Sequence, residues 1–260
     1  MLILTSKDNA NIKNTVKLKK SAKFRRQSGF FIAEGLRVCY DAMLSSAQID
    51  TLFVTESAMK KFSKKYNELS DYAEKTFVVS SALFSLMSDT ETPQGFLCVI
   101  KTLDKTIQFD TIKNGGKFLA LDNVQDPNNL GTILRSAEAF GVDGIIMSND
   151  CCDIYSPKVV RGSMGAVFRL PFMMCKSIAD FLNENKSINS YAAVVDSDAQ
   201  KITDTVFSEP CVTVIGNEAN GLKADTVKAC KTKITIPMNG KAESLNASAA
   251  ASIIIWEMIK

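Results

Sequence analysis

The chain of 260 residues contains no histidine. That excludes Ser-His-Asp triads, HExxH metalloprotease sites and the commonest general base, so any chemistry must run on Asp, Glu, Lys, Arg, Ser, Cys or a cofactor. No CxxC pair occurs among the seven cysteines, and only Cys151 and Cys152 are close in sequence. An odd, unclustered set argues for free thiols in a reducing cytoplasm, against a disulfide framework, and against a zinc or other metal site. Apolar runs never reach the length of a membrane span, and residues 1–8 lack the apolar core and cleavage site of a secretory signal. Low complexity and internal repeats are absent as well. What remains, 46% hydrophobic and 23% charged residues, is the make-up of a globular protein with room for one large or two smaller domains.

Charge is unevenly placed. Residues 1–37 carry nine Lys/Arg against two acidic residues, a net +7, whereas residues 109–260 carry 15 basic and 17 acidic side chains. A basic end on a nearly neutral body suits a nucleic-acid phosphate partner. Lys19, Lys20, Lys23, Arg25, Arg26 and Arg37 are the candidate RNA contacts, with Phe24, Phe30 and Phe31 close enough in sequence to stack on bases. The alternative is a helix face kept in solution by its lysines, with the aromatics in the core.

Periodicity divides the chain into two alternating α/β halves. The first has a basic helix over 6–20, strands at 30–33, 50–54, 76–79 and 96–100, and helices at 35–46, 57–69 and 80–87. A polar stretch with paired glycines, 102–116, reads as a linker, which places the domains at 1–105 and 106–260. Strands in the second half are expected at 118–121, 144–147, 168–171, 191–195, 211–215 and 233–236, with helices at 129–140, 177–185, 222–229 and 245–258. Strands that are apolar almost throughout indicate a mostly parallel sheet covered on both faces.

Three segments of that half run from an apolar strand into a polar turn. The first, 121–137, places Asp126, Pro127, Asn128 and Asn129 at a helix N-terminus, with Arg135 less than two turns further on; its bland reading is a capped helix bearing a surface arginine. The second, 212–222, has the glycine spacing of a P-loop, but Leu222 and Lys223 stand where Lys and Ser/Thr are required, and no GxGxxG follows any strand. It leaves Glu218 at a strand mouth. In the third, 234–252, Pro237 ends a strand, Ser244 is the expected N-cap, and the following helix opens on small residues that permit close packing against another backbone.

Together the segments resemble the SpoU (TrmH-type) family of RNA ribose 2′-O-methyltransferases, in the SPOUT superfamily. The first matches at Asn123, Asp126, Pro127, Asn129, Gly131, Arg135 and Ala137. The second matches at Gly216, Glu218, Gly221 and Leu222, and the third at Ile236, Pro237, Met238, Gly240, Ser244, Leu245, Asn246, Ser248 and Ala249. Residues 156–171 look like the stretch the family carries between its first two motifs. More loosely, residues 30–37 resemble the ribosomal protein L30e-like RNA-binding domain found in many such enzymes.

The resemblance implies an α/β protein: a C-terminal SPOUT domain with a parallel sheet and trefoil knot, preceded by a small α/β L30e-like domain. It further implies a homodimer and S-adenosylmethionine held by Gly216, Ile236, Met238, Leu245 and Asn246. The catalytic set would be Arg135 with Asn129, Glu218, Ser244 and Asn246, the methyl acceptor being a ribose 2′-hydroxyl. Arginine is an awkward literal base because its pKa stays far above neutral; Glu218 is the alternative proton acceptor if burial raises its pKa. Ribosomal RNA is the expected substrate. Transfer RNA, methylation of a base rather than ribose, and a non-catalytic RNA-binding protein on the same fold are the competing readings.

Overall fold

The computed structural model describes residues 2–103, 107 and 112–260. The expected domain boundary at 105/106 lies outside them. Two compact units result: residues up to 103 together with Asp153–Arg169, and the remainder.

In the first unit the elements run β1 (Leu2–Leu4), α1 (Ala10–Lys20), α2 (Ala22–Ser28), β2 (Phe30–Glu34), α3 (Leu36–Leu44), β3 (Ile49–Thr55), α4 (Glu56–Lys61), α5 (Ser63–Tyr72), β4 (Lys75–Val79), α6 (Ser81–Met87) and β5 (Phe96–Lys101). The sheet order is β1-β4-β3-β5-β2, with β5 antiparallel to both its neighbours. The basic helix expected over 6–20 starts only at Ala10, and an unexpected second helix, α2, follows it. Asn9 caps α1 late, and Ser21 ends α1 and caps α2 through its hydroxyl on Phe24 N. The helix expected over 57–69 breaks at Phe62, whose ring packs edge-on against Phe96. Phe31 is fully buried and stacks on Tyr155, so it belongs to the core.

The second unit contains β6 (Lys117–Leu121), α7 (Pro127–Phe140), β7 (Gly144–Ser148), β8 (Phe172–Cys175), α10 (Ile178–Glu184), β9 (Asn189–Ala193), β10 (Gln200–Lys201), β11 (Cys211–Ile215), α11 (Ala224–Ala229), β12 (Thr232–Thr235) and α12 (Ala247–Ile259); α8 (Pro157–Gly162) and α9 (Ala166–Arg169) fall in the segment that joins the first unit. All seven strands are parallel, in the order β10-β12-β9-β11-β6-β7-β8.

One expected strand is wrong. Residues 168 and 169 end a helix, 170 and 171 connect it to the sheet, and the strand starts at Phe172, because Pro171 has no N–H for a ladder while its carbonyl still accepts from Ile145 N. Helix α7 follows its sequence signals closely. Asp126 accepts from Asn128 N at 2.8 Å, Pro127 occupies the first turn, and Gly141 closes the helix at φ 81°. Its buried face is Asn129, Leu130, Gly131, Ile133, Leu134 and Ala137.

Candidate active site

Strands β6 and β11 are neighbours, but the chain leaves them in opposite directions: β6 leads to β7 on one side, and β11 leads to β12 on the other. Such a reversal opens a crevice outside the strands' carboxyl ends, where open α/β sheets bind ligands. The 122–126 turn and the 216–223 loop both start there, tied at the root by Asp122 N donating to Ile215 O at 2.9 Å.

Glu218 organises the crevice. Its Oε1 accepts from Asp126 N at 3.0 Å and Asn129 Nδ2 at 3.1 Å. Its Oε2 accepts from Gln125 N at 3.1 Å and Asn217 Nδ2 at 3.4 Å. A carboxylate only accepts, so Asn129 must turn its amide nitrogen to Glu218 and its oxygen the other way. That oxygen takes a hydrogen bond from Asn246 Nδ2 at 3.0 Å. Asn246 in turn accepts from Ser248 N and Ala249 N, so it, and not the expected Ser244, is the N-cap of α12: the helix starts two residues later than a Ser244 cap requires. Three loops distant in sequence are thus joined through Glu218, Asn129 and Asn246.

Burial pushes the Glu218 carboxyl up, but the N–H groups of Asp126, Glu218 itself and Gln125, with the Asn129 amide, outweigh it and hold the pKa below the ordinary 4.5. The condition under which Glu218 would act as proton acceptor is not met. It is a filled, ionised acceptor.

Beside it opens a cavity of about 450 Å³, within the range of small-molecule sites. Gly216, Ile236, Met238, Ser244 and Leu245 line it, together with Glu218. Gly216 is there because nothing larger fits: a Cβ would meet Gly221 C at 2.3 Å and Leu222 N at 2.4 Å. The close approach reflects the tight 217–221 turn, in which Asn217 and Gly221 exchange both backbone hydrogen bonds.

Arg135 is exposed on α7, does not line the cavity, and makes no hydrogen bond or ion pair among the described residues. The N-terminal cations separate into two groups. Arg25, expected at the phosphate surface, is buried instead: Nε and Nη2 reach Asp153 Oδ2 at 2.7 Å and Nη1 reaches Leu18 O. Lys19 is half-buried, its ammonium on the carbonyls of Leu86 and Ser88 at the end of α6. Lys20, Lys23, Arg26 and Arg37 are exposed and unpaired among the described residues.

Sequence reasoning missed the support beneath the crevice. Asp122, only 1% exposed, accepts from the Thr226 hydroxyl at 2.6 Å and pairs with Lys223 at 3.3 Å; Lys223 also pairs with Asp150 at 2.6 Å. The one available signal was an aspartate directly after a buried strand. All seven cysteines are free, and burial raises Cys175 to about 11 and Cys211 and Cys230 to about 12, so these three thiols stay protonated near neutral pH.

The model of the SpoU rRNA Methylase family matches residues 116–256, more than half of the chain. The chain belongs to that family. The MRM3-like substrate binding domain matches residues 9–98. Among SpoU-type relatives, a 23S rRNA (guanosine(2553)-2′-O)-methyltransferase from Bacillus subtilis is 27% identical over 98% of both chains. A 23S rRNA (uridine(2479)-2′-O)-methyltransferase from Streptomyces viridochromogenes is 28% identical, over 91% of this chain and 84% of its own. An AdoMet-bound rRNA methyltransferase from Sinorhizobium meliloti superposes with TM-score 0.84 at 26% identity, covering 98% of this chain and 96% of that one. The expected α/β fold with a parallel sheet is therefore the SpoU one.

Proposed function

We propose that the protein transfers a methyl group from S-adenosylmethionine to a ribose 2′-hydroxyl of ribosomal RNA. The observation that carries this reading is the hydrogen-bonded junction of Glu218, Asn129 and Asn246 at a sheet switch point, beside a cavity of cofactor size. Named relatives act on 23S rRNA, and the neighbour from Sinorhizobium meliloti binds AdoMet.

The cavity fits the cofactor by its chemistry. Ile236, Met238 and Leu245 offer apolar surface to an adenine, the 216–222 loop offers backbone groups, and ionised Glu218 is a counter-charge for a sulfonium. When bound, S-adenosylmethionine supplies an electrophilic methyl group. Gly216, Ile236, Met238, Leu245 and Asn246 hold it in this proposal, with Ser244 at the cavity wall. Asn129, its amide fixed at both ends, orients the ribose. Arg135 remains charged at any working pH, so it clamps an RNA phosphate and stabilises the 2′ oxygen as negative charge develops there. That Arg135 has no partner among the described residues of its own chain supports this role.

A C-terminal trefoil knot is part of the proposal, supported by the small residues of α12 that let it lie along α7, with the hydroxyls of Ser136 and Ser252 at 2.7 Å. So is a homodimer: Ile253 and Trp256 are 40% and 54% exposed on α12, next to Phe140 of α7. The first unit serves as an L30e-like RNA-binding domain through Lys20, Lys23, Arg26 and Arg37, and a cytoplasmic setting is part of the proposal, supported by the bacterial relative that acts on 23S rRNA. Mapping 2′-O-methyl sites in RNA from cells with and without the protein tests the reading. Loss of one ribose methyl in 23S rRNA is expected; a lost base methyl or an unchanged map overturns it.

A further inference from the structure

The first unit has a cavity of its own, about 220 Å³, between α1, α2 and one face of the sheet. Phe53 floors it, Phe24 and Phe30 stand half-buried at its sides, and Asn11, Asn14 and Asp50 bring polar groups to it. Strict alternation along β3 would send Asp50 to the opposite face from Thr51 and Phe53. A bulge prevents that: Ile49 pairs with Ile100 and Thr51 with Val99, which leaves Asp50 as the extra residue and lets it share the cavity with both. Bulges of this kind re-aim side chains at functional sites.

Asp50 has acceptor capacity to spare. Its Oδ2 takes the Thr51 hydroxyl at 2.6 Å and its Oδ1 faces Lys75 Nζ at 3.4 Å, about two of roughly four lone-pair positions. The side-chain amides of Asn11 and Asn14 have no partner among the described residues. Cations stand beside both aromatic side walls: Lys17 lies over the Phe24 ring at 5.6 Å, and exposed Lys101 is the cross-strand partner of Phe30. Flat aromatic walls, a carboxylate with free lone pairs, unpaired amides and flanking cations suit a nucleobase carried by a phosphate backbone. Among the four bases only guanine presents two adjacent donors, N1–H and the N2 amine, to one carboxylate. An asparagine amide is then available to its O6.

We infer that this cavity binds one unpaired guanine of the RNA, read by Asp50. The inference rests on the RNA methyltransferase reading and adds a base-specific contact in the first unit, whereas Glu218 and Arg135 belong to the second. Fluorescence anisotropy with the full chain tests it, using three hexanucleotides: all adenosine, one central guanosine, and inosine in that place. Guanosine should bind roughly tenfold tighter than adenosine, with inosine, which lacks the N2 amine, between them. Asp50→Asn should erase the guanosine advantage while leaving the all-adenosine affinity and the thermal melt unchanged. Asn14→Ala is a second variant should the first not fold, and it should weaken only guanosine binding. Equal affinities for the three RNAs, or a guanosine preference that survives Asp50→Asn, overturn the inference. If no hexanucleotide binds while rRNA is still methylated, the cavity falls and the enzyme reading stands; if methylation is also absent, both fall.

Discussion

Glu218 and Arg135 are opposite cases of a single charge. Glu218 has four N–H donors, and Arg135 has no partner among the described residues. Arg135→Ala should therefore lower methyl transfer on the order of a hundredfold or more while S-adenosylmethionine binding, read by calorimetry, persists; abolished cofactor binding would put Arg135 in the wrong role. Glu218 makes a stability prediction. A carboxyl whose folded pKa lies below its unfolded 4.5 stabilises the fold above that pH, and the contribution disappears as pH falls through the folded value. Between neutral pH and about pH 3.5, the urea midpoint of the wild type should fall more than that of Glu218→Gln. Equal falls would show that the carboxylate is not held as its hydrogen bonds require. The asparagines and the glutamate were legible as candidates from their motifs. Their mutual bonds were not, since 89 residues separate Asn129 from Glu218 and 117 separate Asn129 from Asn246.

At the scale of elements, local signals succeeded where the chemistry was local. Asp126 and Pro127 start α7 and Gly141 ends it, each by a backbone preference independent of distant packing. They failed where one residue outranked the pattern. Pro171 excluded the apolar run before it from the sheet, Phe62 split a helix to reach Phe96, and Asn246 displaced Ser244 as cap. The 216–222 loop is the element on which the cavity most depends. Gly216→Ala places a methyl group against backbone rather than a yielding side chain, so the loop must move. A shift of ~1 Å at a site of this kind costs on the order of a hundredfold in kcat/KM, and calorimetry should show weakened S-adenosylmethionine binding as well. Unchanged turnover and binding would mean the cofactor is held elsewhere.

Over the whole molecule, the net charge of +3 conceals the basic N-terminal stretch, and folding sorts its members by what they can reach. Arg25 and Lys19 are committed inside the first unit, whereas Lys20, Lys23, Arg26 and Arg37 remain exposed. Replacing these four by Gln should weaken RNA binding across sequences and flatten its log–log salt slope by about 0.7 for each single-strand phosphate that is no longer neutralised. An unaltered slope would reduce them to a solvated face.

By itself the sequence determined the chemistry available and the order of its parts: no histidine, three strand-to-turn motifs, a parallel α/β half and a basic beginning. Those are properties of residue type, short-range backbone preference and periodicity, which need no partner from far along the chain. Only the tertiary structure decided that segment Asp153–Arg169 packs with the first unit, that Arg25 is internal, and that Glu218 is a filled acceptor rather than a base. Each depends on which groups meet across the fold, and burial and hydrogen bonding act on a side chain only after that meeting has occurred.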